Sequence, residues 1–165
     1  MFSQTVEYAL RAMAYLADQA KVPQPNPLIA QATKVPASYL AKVLRQLVHG
    51  RLLKAKRGPN GGFIIARDPG SITLWDVLEA VEPMRRIQTC PLDLASHLTN
   101  LCPLHRKIDD ALALLEKTFK EATLGELLNQ TGKPHPLCDF LNPPRVKLGV
   151  KPSKRTKNYD QRTKN

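Results

Sequence analysis

Two of the chain's three cysteines and two of its four histidines fall within one short stretch, Thr89-Cys-Pro-Leu-Asp-Leu-Ala-Ser-His-Leu-Thr-Asn-Leu-Cys-Pro-Leu-His105. Cysteine is ordinarily a small hydrophobe scattered singly through a core. Gathered with imidazoles on a proline-broken loop, thiols are instead soft donors that can converge on a metal, or partners for oxidation. From the residues alone several chemistries are open to Cys90 and Cys102. With His105 and a fourth group they could hold zinc, although the twelve-residue separation of the cysteines departs from finger spacing. They could form a redox-switched disulfide, or lie buried and inert. Cys138 stands apart from the segment and is read as an incidental thiol.

The elements that must position this loop are legible from periodicity. Residues 2–20 read as an amphipathic helix with Val6, Leu10, Met13 and Ala17 on one face. The run Val22-Pro-Gln-Pro-Asn-Pro27 ends it, and a short helix around Leu28–Thr33 follows. Val35-Pro36 opens a third helix over 36–49, with an apolar stripe of Leu40, Val43, Leu44, Leu47 and Val48. Gly50 sits where a left-handed cap glycine is expected. Two strand-like runs, Leu52–Lys56 and Phe63–Arg67, flank Arg57-Gly-Pro-Asn-Gly-Gly62, whose glycines and Asn60 suit a hairpin turn. Thr73-Leu-Trp-Asp76 resembles a capping box and opens a helix carrying Leu74, Val77, Leu78 and Val81. Residues 83–103 read as irregular, and a longer helix spans about His105 to Lys120. Thr123-Leu-Gly-Glu126 signals one more helical turn.

Charge points to the partner. The 165 residues carry a net +11 and a pI near 9.8. Residues 131–165 hold nine Lys/Arg against two Asp, a surplus of +7. Such a chain attracts polyanions. No apolar run approaches membrane-spanning length, and the N-terminus lacks the pattern of a signal peptide. An odd number of cysteines argues against a secreted disulfide scaffold. A cytoplasmic protein with reduced thiols and no membrane partner is expected.

Helix, short helix, helix and β-hairpin is the order of a winged helix-turn-helix. The 36–49 helix would enter the major groove of double-stranded DNA, with Ser38, Tyr39 and Lys42 near its N-terminal end and Gln46 a turn further on. The hairpin would bring Lys54, Lys56 and Arg57 to the backbone or the minor groove. No paired-carboxylate pocket, phosphate loop or Cys-x-x-Cys motif suggests an enzyme. A basic RNA- or ribosome-associated protein is the reading from another class.

Glu7-Tyr-Ala-Leu-Arg-Ala12, Pro36-Ala-Ser-Tyr-Leu40, Arg57-Gly-Pro-Asn-Gly-Gly-Phe63 and Ile72-Thr-Leu-Trp-Asp-Val77 resemble, in order, motifs of the Rrf-two (Rrf2) family, the IscR- and NsrR-type transcription regulators. The resemblance covers roughly residues 1–128. It implies a homodimeric winged-helix regulator, mainly α with a small β-hairpin wing, dimerised through a long helix at 105–120 on a pseudo-palindromic operator. Its DNA contacts carry over to Ser38, Tyr39, Lys42, Arg57, Pro59, Asn60 and Gly61. Ala41 stands where one branch has an acidic specificity residue, so that branch's operator does not carry over. Several members hold an iron–sulfur cluster through three loop cysteines. Here Cys90 and Cys102 match the outer two, and the middle position falls on Ser96 beside His97. The resemblance then implies a 2Fe–2S cluster on Cys90, Cys102, His105 and, from the other subunit, Glu7, with His97 as the alternative ligand; zinc or no metal are the alternatives.

The resulting expectation is a DNA-binding repressor: a winged helix-turn-helix over 1–82, a cysteine-containing sensor loop over 83–104, a dimerisation helix and short helical turn over 105–128, and a basic, largely disordered tail over 129–165. A metal-free version controlled by a partner or small molecule is the alternative. The tail should add sequence-independent phosphate contacts. Deleting residues 131–165 is expected to flatten the dependence of log K on log salt in DNA titrations, and an unchanged slope would show that the tail takes no part.

Overall fold

The computed structural model describes residues 2–19, 22–90 and 101–129. Ser96, His97, Cys138 and the tail expected to be disordered lie outside these residues. The chain runs α1 (Gln4–Asp18), α2 (Asn26–Thr33), α3 (Ala37–His49), β1 (Leu53–Lys56), β2 (Gly62–Ile65), a 3-10 turn (Pro69–Ser71), α4 (Leu74–Val81), α5 (Pro103–Glu121) and α6 (Leu124–Leu128). Helices dominate and the only sheet among the described residues is an antiparallel hairpin, as a winged helix-turn-helix requires.

Helix α1 is the hub, touching α2, α3, α4, α6 and β2. Ser3 caps it by accepting from the Val6 N–H at 3.3 Å. Its buried arc is Val6, Ala9, Ala12, Met13, Tyr15 and Leu16, whereas Leu10 and Ala17 are only half-buried. The expected single stripe is therefore too narrow. A helix enclosed on several sides buries a wide arc, and Ala9 and Ala12 admit close neighbours.

Helix α2 starts two residues before the expected Leu28, with Pro27 in its first turn, where a missing N–H costs nothing. It ends at Lys34 in the left-handed conformation, φ +54°. Leu40, Val43, Leu44 and Leu47 of α3 are wholly buried. Gly50 does not play its expected part: its φ is −70°, and Arg51 takes the left-handed position at +58°. Glycine is needed there for closeness, because a Cβ on Gly50 would lie 2.7 Å from the Ala80 Cβ.

The hairpin pairs Leu53 with Ile65 through to Lys56 with Gly62. It is pinned to the body by a bridge to the α1–α2 connection, Gln24 N–H to the Phe63 carbonyl at 2.9 Å and Phe63 N–H to the Gln24 carbonyl at 2.8 Å. The buried Gln24 side chain also accepts from the Tyr15 hydroxyl at 3.4 Å.

Thr73 and Asp76 form the expected capping box on α4, and Thr123 with Glu126 forms another on α6. The two boxes are joined: Leu74 N–H meets the Ala122 carbonyl, and Leu124 N–H meets the Ile72 carbonyl, both at 2.9 Å. This ladder anchors the far end of α5, which has no fully buried residue over its 19 positions. No helix among the described residues is long and apolar enough to cross a membrane.

Gly62 has φ +147°, and a Cβ on it would lie 2.3 Å from the Gln24 carbonyl oxygen. Gly62→Ala is expected to destabilise the protein by about 2 kcal/mol, from strain and overpacking together. Chemical denaturation measures the loss, and DNA affinity should fall with it because the hairpin is unpinned.

Candidate functional site

The stretch from the end of α1 through the hairpin is strongly basic. Residues 19–67 contain nine Lys/Arg and no Asp or Glu, a charge run that makes a coherent positive field. Ser38, Tyr39, Lys42 and Arg45 lie exposed on α3, and Lys54, Lys56, Arg57, Pro59 and Asn60 are exposed on the hairpin. Gly61 is half-buried, its N–H bonded to the Gly58 carbonyl at 2.9 Å, which tightens the turn carrying Arg57. The acid-free run was the available signal for Arg45 beside the expected Lys42 and Lys54.

Tyr39 is held by α1. Its hydroxyl shares a 2.6 Å hydrogen bond with Thr5 Oγ1, and its ring meets Tyr8 edge-on at 5.5 Å between centroids. Arg11 lies 6.0 Å over the Tyr8 ring and pairs with Glu7 at 2.9 Å. Its other end approaches the Thr33 carbonyl at 3.5 Å. Glu7 and Tyr39 are thus connected through Arg11 and Tyr8. Asn26 donates to the Ala37 carbonyl at 3.0 Å and so fixes the first turn of α3 against α2.

Gln46 departs from expectation. Its amide donates to the Val81 carbonyl at 3.1 Å, and its Oε1 is buried without a partner among the described residues. The side chain therefore points inward, closing the end of α4, rather than outward with Lys42. Position 46 lies one turn past Lys42, but the rotation of the helix turns it toward α4.

The second constellation forms where the segment leaving α4 meets the start of α5. Cys102 is the N-cap residue of α5, extended at φ −63° and ψ 160°, and Pro103 sets the first turn. This places its Sγ 3.2 Å from His105 Nδ1. Cys90 arrives from the other side, 4% exposed, with Sγ 4.0 Å from the same nitrogen. Both cysteines are thiols rather than a disulfide. Two soft sulfurs thus approach one imidazole nitrogen, donors of the type that N/S ligation uses. They are not arranged as a metal site: among the described residues no group of three or more His, Cys, Asp or Glu side chains, this trio included, could hold a metal ion. Within one chain Glu7 is engaged by Arg11 and not by this site. His97 lies outside the described residues.

The segment carrying Cys90 is fastened by Arg86, which grips Asp109 on α5. Its hydrogen bonds hold the Asp109 carboxyl below the usual carboxylate range. A carboxylate lowered in the folded state stabilises above its unfolded pKa. The contact is therefore fully present at neutral pH and is lost only as acid titrates Asp109 through that lowered value.

A family profile, Rrf2, described as an iron-dependent transcriptional regulator, matches residues 2–130. A protein of Aquifex aeolicus (strain VF5) named for an HTH-type transcriptional regulator is 33% identical over 132 residues, spanning 78% of this chain and 92% of the relative. The HTH-type transcriptional regulator IscR of Klebsiella pneumoniae is 29% identical over 123 residues, 74% of this chain and 76% of that one. Among solved structures, CymR, the global cysteine regulator of B. subtilis, superposes with a TM-score of 0.62 at 24% identity, covering 77% of this chain and 95% of that chain. IscR of T. potens gives 0.64 at 22%, covering 78% and 85%.

The inward Gln46 makes a distinct prediction. Gln46→Ala is expected to cost about 1–2 kcal/mol of stability by leaving the Val81 carbonyl without its donor, while DNA affinity of the folded variant stays within twofold. A large affinity loss without destabilisation in paired denaturation and DNA titrations would return Gln46 to the binding face.

Proposed function

The chain belongs to the Rrf2 family of transcriptional regulators, and from that premise we propose that it is a homodimeric repressor whose hold on a pseudo-palindromic operator is set by an iron–sulfur cluster responding to redox state or nitric oxide. The observation that carries the reading is the convergence of Cys90 and Cys102 on His105 at the root of α5.

In this reading α3 enters the major groove with Ser38, Tyr39 and Lys42, while Lys56, Arg57, Pro59, Asn60 and Gly61 follow the backbone and minor groove. The dimer forms along α5. That helix leaves Leu104, Ile108 and Leu114 exposed at 65%, 42% and 67%, large apolar side chains that a second copy would cover.

In this reading Cys90, Cys102 and His105 would supply three donors for a 2Fe–2S cluster, and the partner subunit's Glu7 would supply the fourth. When bound, such a cluster supplies a one-electron couple sensitive to its ligands and to oxidants. What this chain's residues contribute is coupling. Drawing Glu7 away from Arg11 loosens the Arg11–Tyr8–Tyr39 stack and so the hold of α1 on the first turn of α3. A cleft of about 350 Å³ lined by Phe2, Ser3, Val6, Leu78, Glu82, Met84 and Leu115 leaves the first turn of α1 room to move. The signal shifts the equilibrium only by its differential affinity for the two arrangements.

The incomplete donor set favours an alternative in which the same DNA-binding module works without metal, under a partner protein or small molecule.

Anaerobic purification followed by an absorption spectrum and iron, sulfide and zinc analysis tests the reading. Visible bands with matched iron and sulfide are expected, abolished by Cys90→Ala or Cys102→Ala. Glu7→Ala should shift the spectrum and change operator affinity at least tenfold. A colourless protein lacking iron and sulfide rejects the cluster, and an unaltered Glu7 variant rejects the cross-subunit link.

A further inference from the structure

Residues 83–90 form neither helix nor strand, yet they deliver Cys90 to a buried position opposite His105. One carboxylate takes three of the hydrogen bonds that hold them. Asp109 Oδ1 accepts from Arg86 Nε at 2.6 Å and from the Ile87 backbone N–H at 2.9 Å, and Oδ2 accepts from Arg86 Nη2 at 2.6 Å. Asp109 sits four residues after His105, one turn along the same face of α5. Glu116, further along α5, lies 4.0 Å from Arg86 and 2.6 Å from Lys120, which in turn sits 5.6 Å over the Trp75 ring of α4. An exposed ion pair usually contributes little, but a bidentate guanidinium–carboxylate fork with a backbone donor on the same carboxylate is the geometry that does.

The tether lengths show what the fork accomplishes. The nearest earlier anchor is Met84, whose N–H bonds to the Glu79 side chain at 3.0 Å. From Met84 an extended chain could carry Cys90 about 21 Å, but from Ile87 only about 11 Å. The volume open to the thiol shrinks by about sevenfold, with a matching rise in its effective concentration at His105.

We propose that Arg86 and Asp109 are positioning residues for the thiol–imidazole site: their fork, with the Ile87 N–H on the same carboxylate, sets the register of segment 85–90 on α5 and thereby holds Cys90 opposite His105. The proposal deepens the sensor reading and rests on it for the site's purpose, while the fork itself is open to a separate test.

The test uses the reduced full chain and its Asp109→Asn, Arg86→Gln and double variants, with folding confirmed by circular dichroism. Iodoacetamide alkylation, mapped by mass spectrometry, follows Cys90 and Cys102 separately, and cobalt(II) alone titrates the thiols by its thiolate absorption. Each single variant should alkylate Cys90 at least fivefold faster, change Cys102 less than twofold, and bind cobalt at least fivefold more weakly. The double variant should be no worse than either single one, because both remove one interaction. An unchanged Cys90 rate overturns the proposal, as does equal acceleration of both cysteines, which would mean general loosening. If the parent binds no cobalt but the variants selectively free Cys90, the fork stands and the metal reading falls. Tight cobalt binding in all four proteins with Cys90 unmoved leaves the metal reading and removes the fork.

Discussion

The burial of α1 is the constraint on which the rest of the molecule depends. Five other elements pack on this helix, and its small residues, Ala9 and Ala12, are wholly enclosed. Interiors packed to crystal-like density do not deform smoothly, so a shift in α1 must be felt by whatever leans on it. On one side that is α3, through Tyr8, Thr5 and Tyr39. At its start, Ser3 donates to Glu82, beyond the last turn of α4, and Phe2 stacks 5.2 Å from Phe119 of α5. The core helix therefore ties the end of α4 and the far end of α5 to the first turn of α3.

The two constellations are built differently for physical reasons. The basic surface needs reach and tolerance, and it is made of exposed long side chains on a helix and a hairpin whose backbones are rigidly held. The bridge between Gln24 and Phe63 gives the two-stranded wing the support that an isolated hairpin lacks. The thiol–imidazole site needs convergence within a few ångströms, and it is assembled at a helix start, where Pro103 fixes direction and the N-cap conformation folds Cys102 over His105. Its third member comes from an irregular segment, so its placement depends on the Arg86–Asp109 fork rather than on secondary structure. The chain belongs to the Rrf2 family, whose profile is described as an iron-dependent transcriptional regulator.

Much of this was legible without coordinates. The capping box at Thr73, the helical turn at Thr123, the stripe on α3 and the hairpin turn are local features, each written within one short stretch of chain, and they form as read. Gly50 and Gln46 depart from the helix periodicity for one common reason. Each answers to α4 rather than to its own helix: Gly50 to the Ala80 side chain and Gln46 to the Val81 carbonyl. The 3.6-residue repeat says which residues share a face, but not which neighbour that face meets. The apolar stripe of α1 was drawn too narrow because period alone does not report how many partners surround a helix.

By itself, then, the sequence determined the order and type of the elements and the basic character of the 19–67 stretch, because these rest on local propensity, periodicity and charge, and its motifs carried the family resemblance. It also named Cys90, Cys102 and His105 as a group. Only the tertiary structure decided that both sulfurs face one imidazole nitrogen, that Glu7 is paired with Arg11 in its own chain, and that Arg86 reaches Asp109 across 23 positions. Such contacts join residues distant along the chain. They exist only once the packing of α5 and α4 has brought the two ends together.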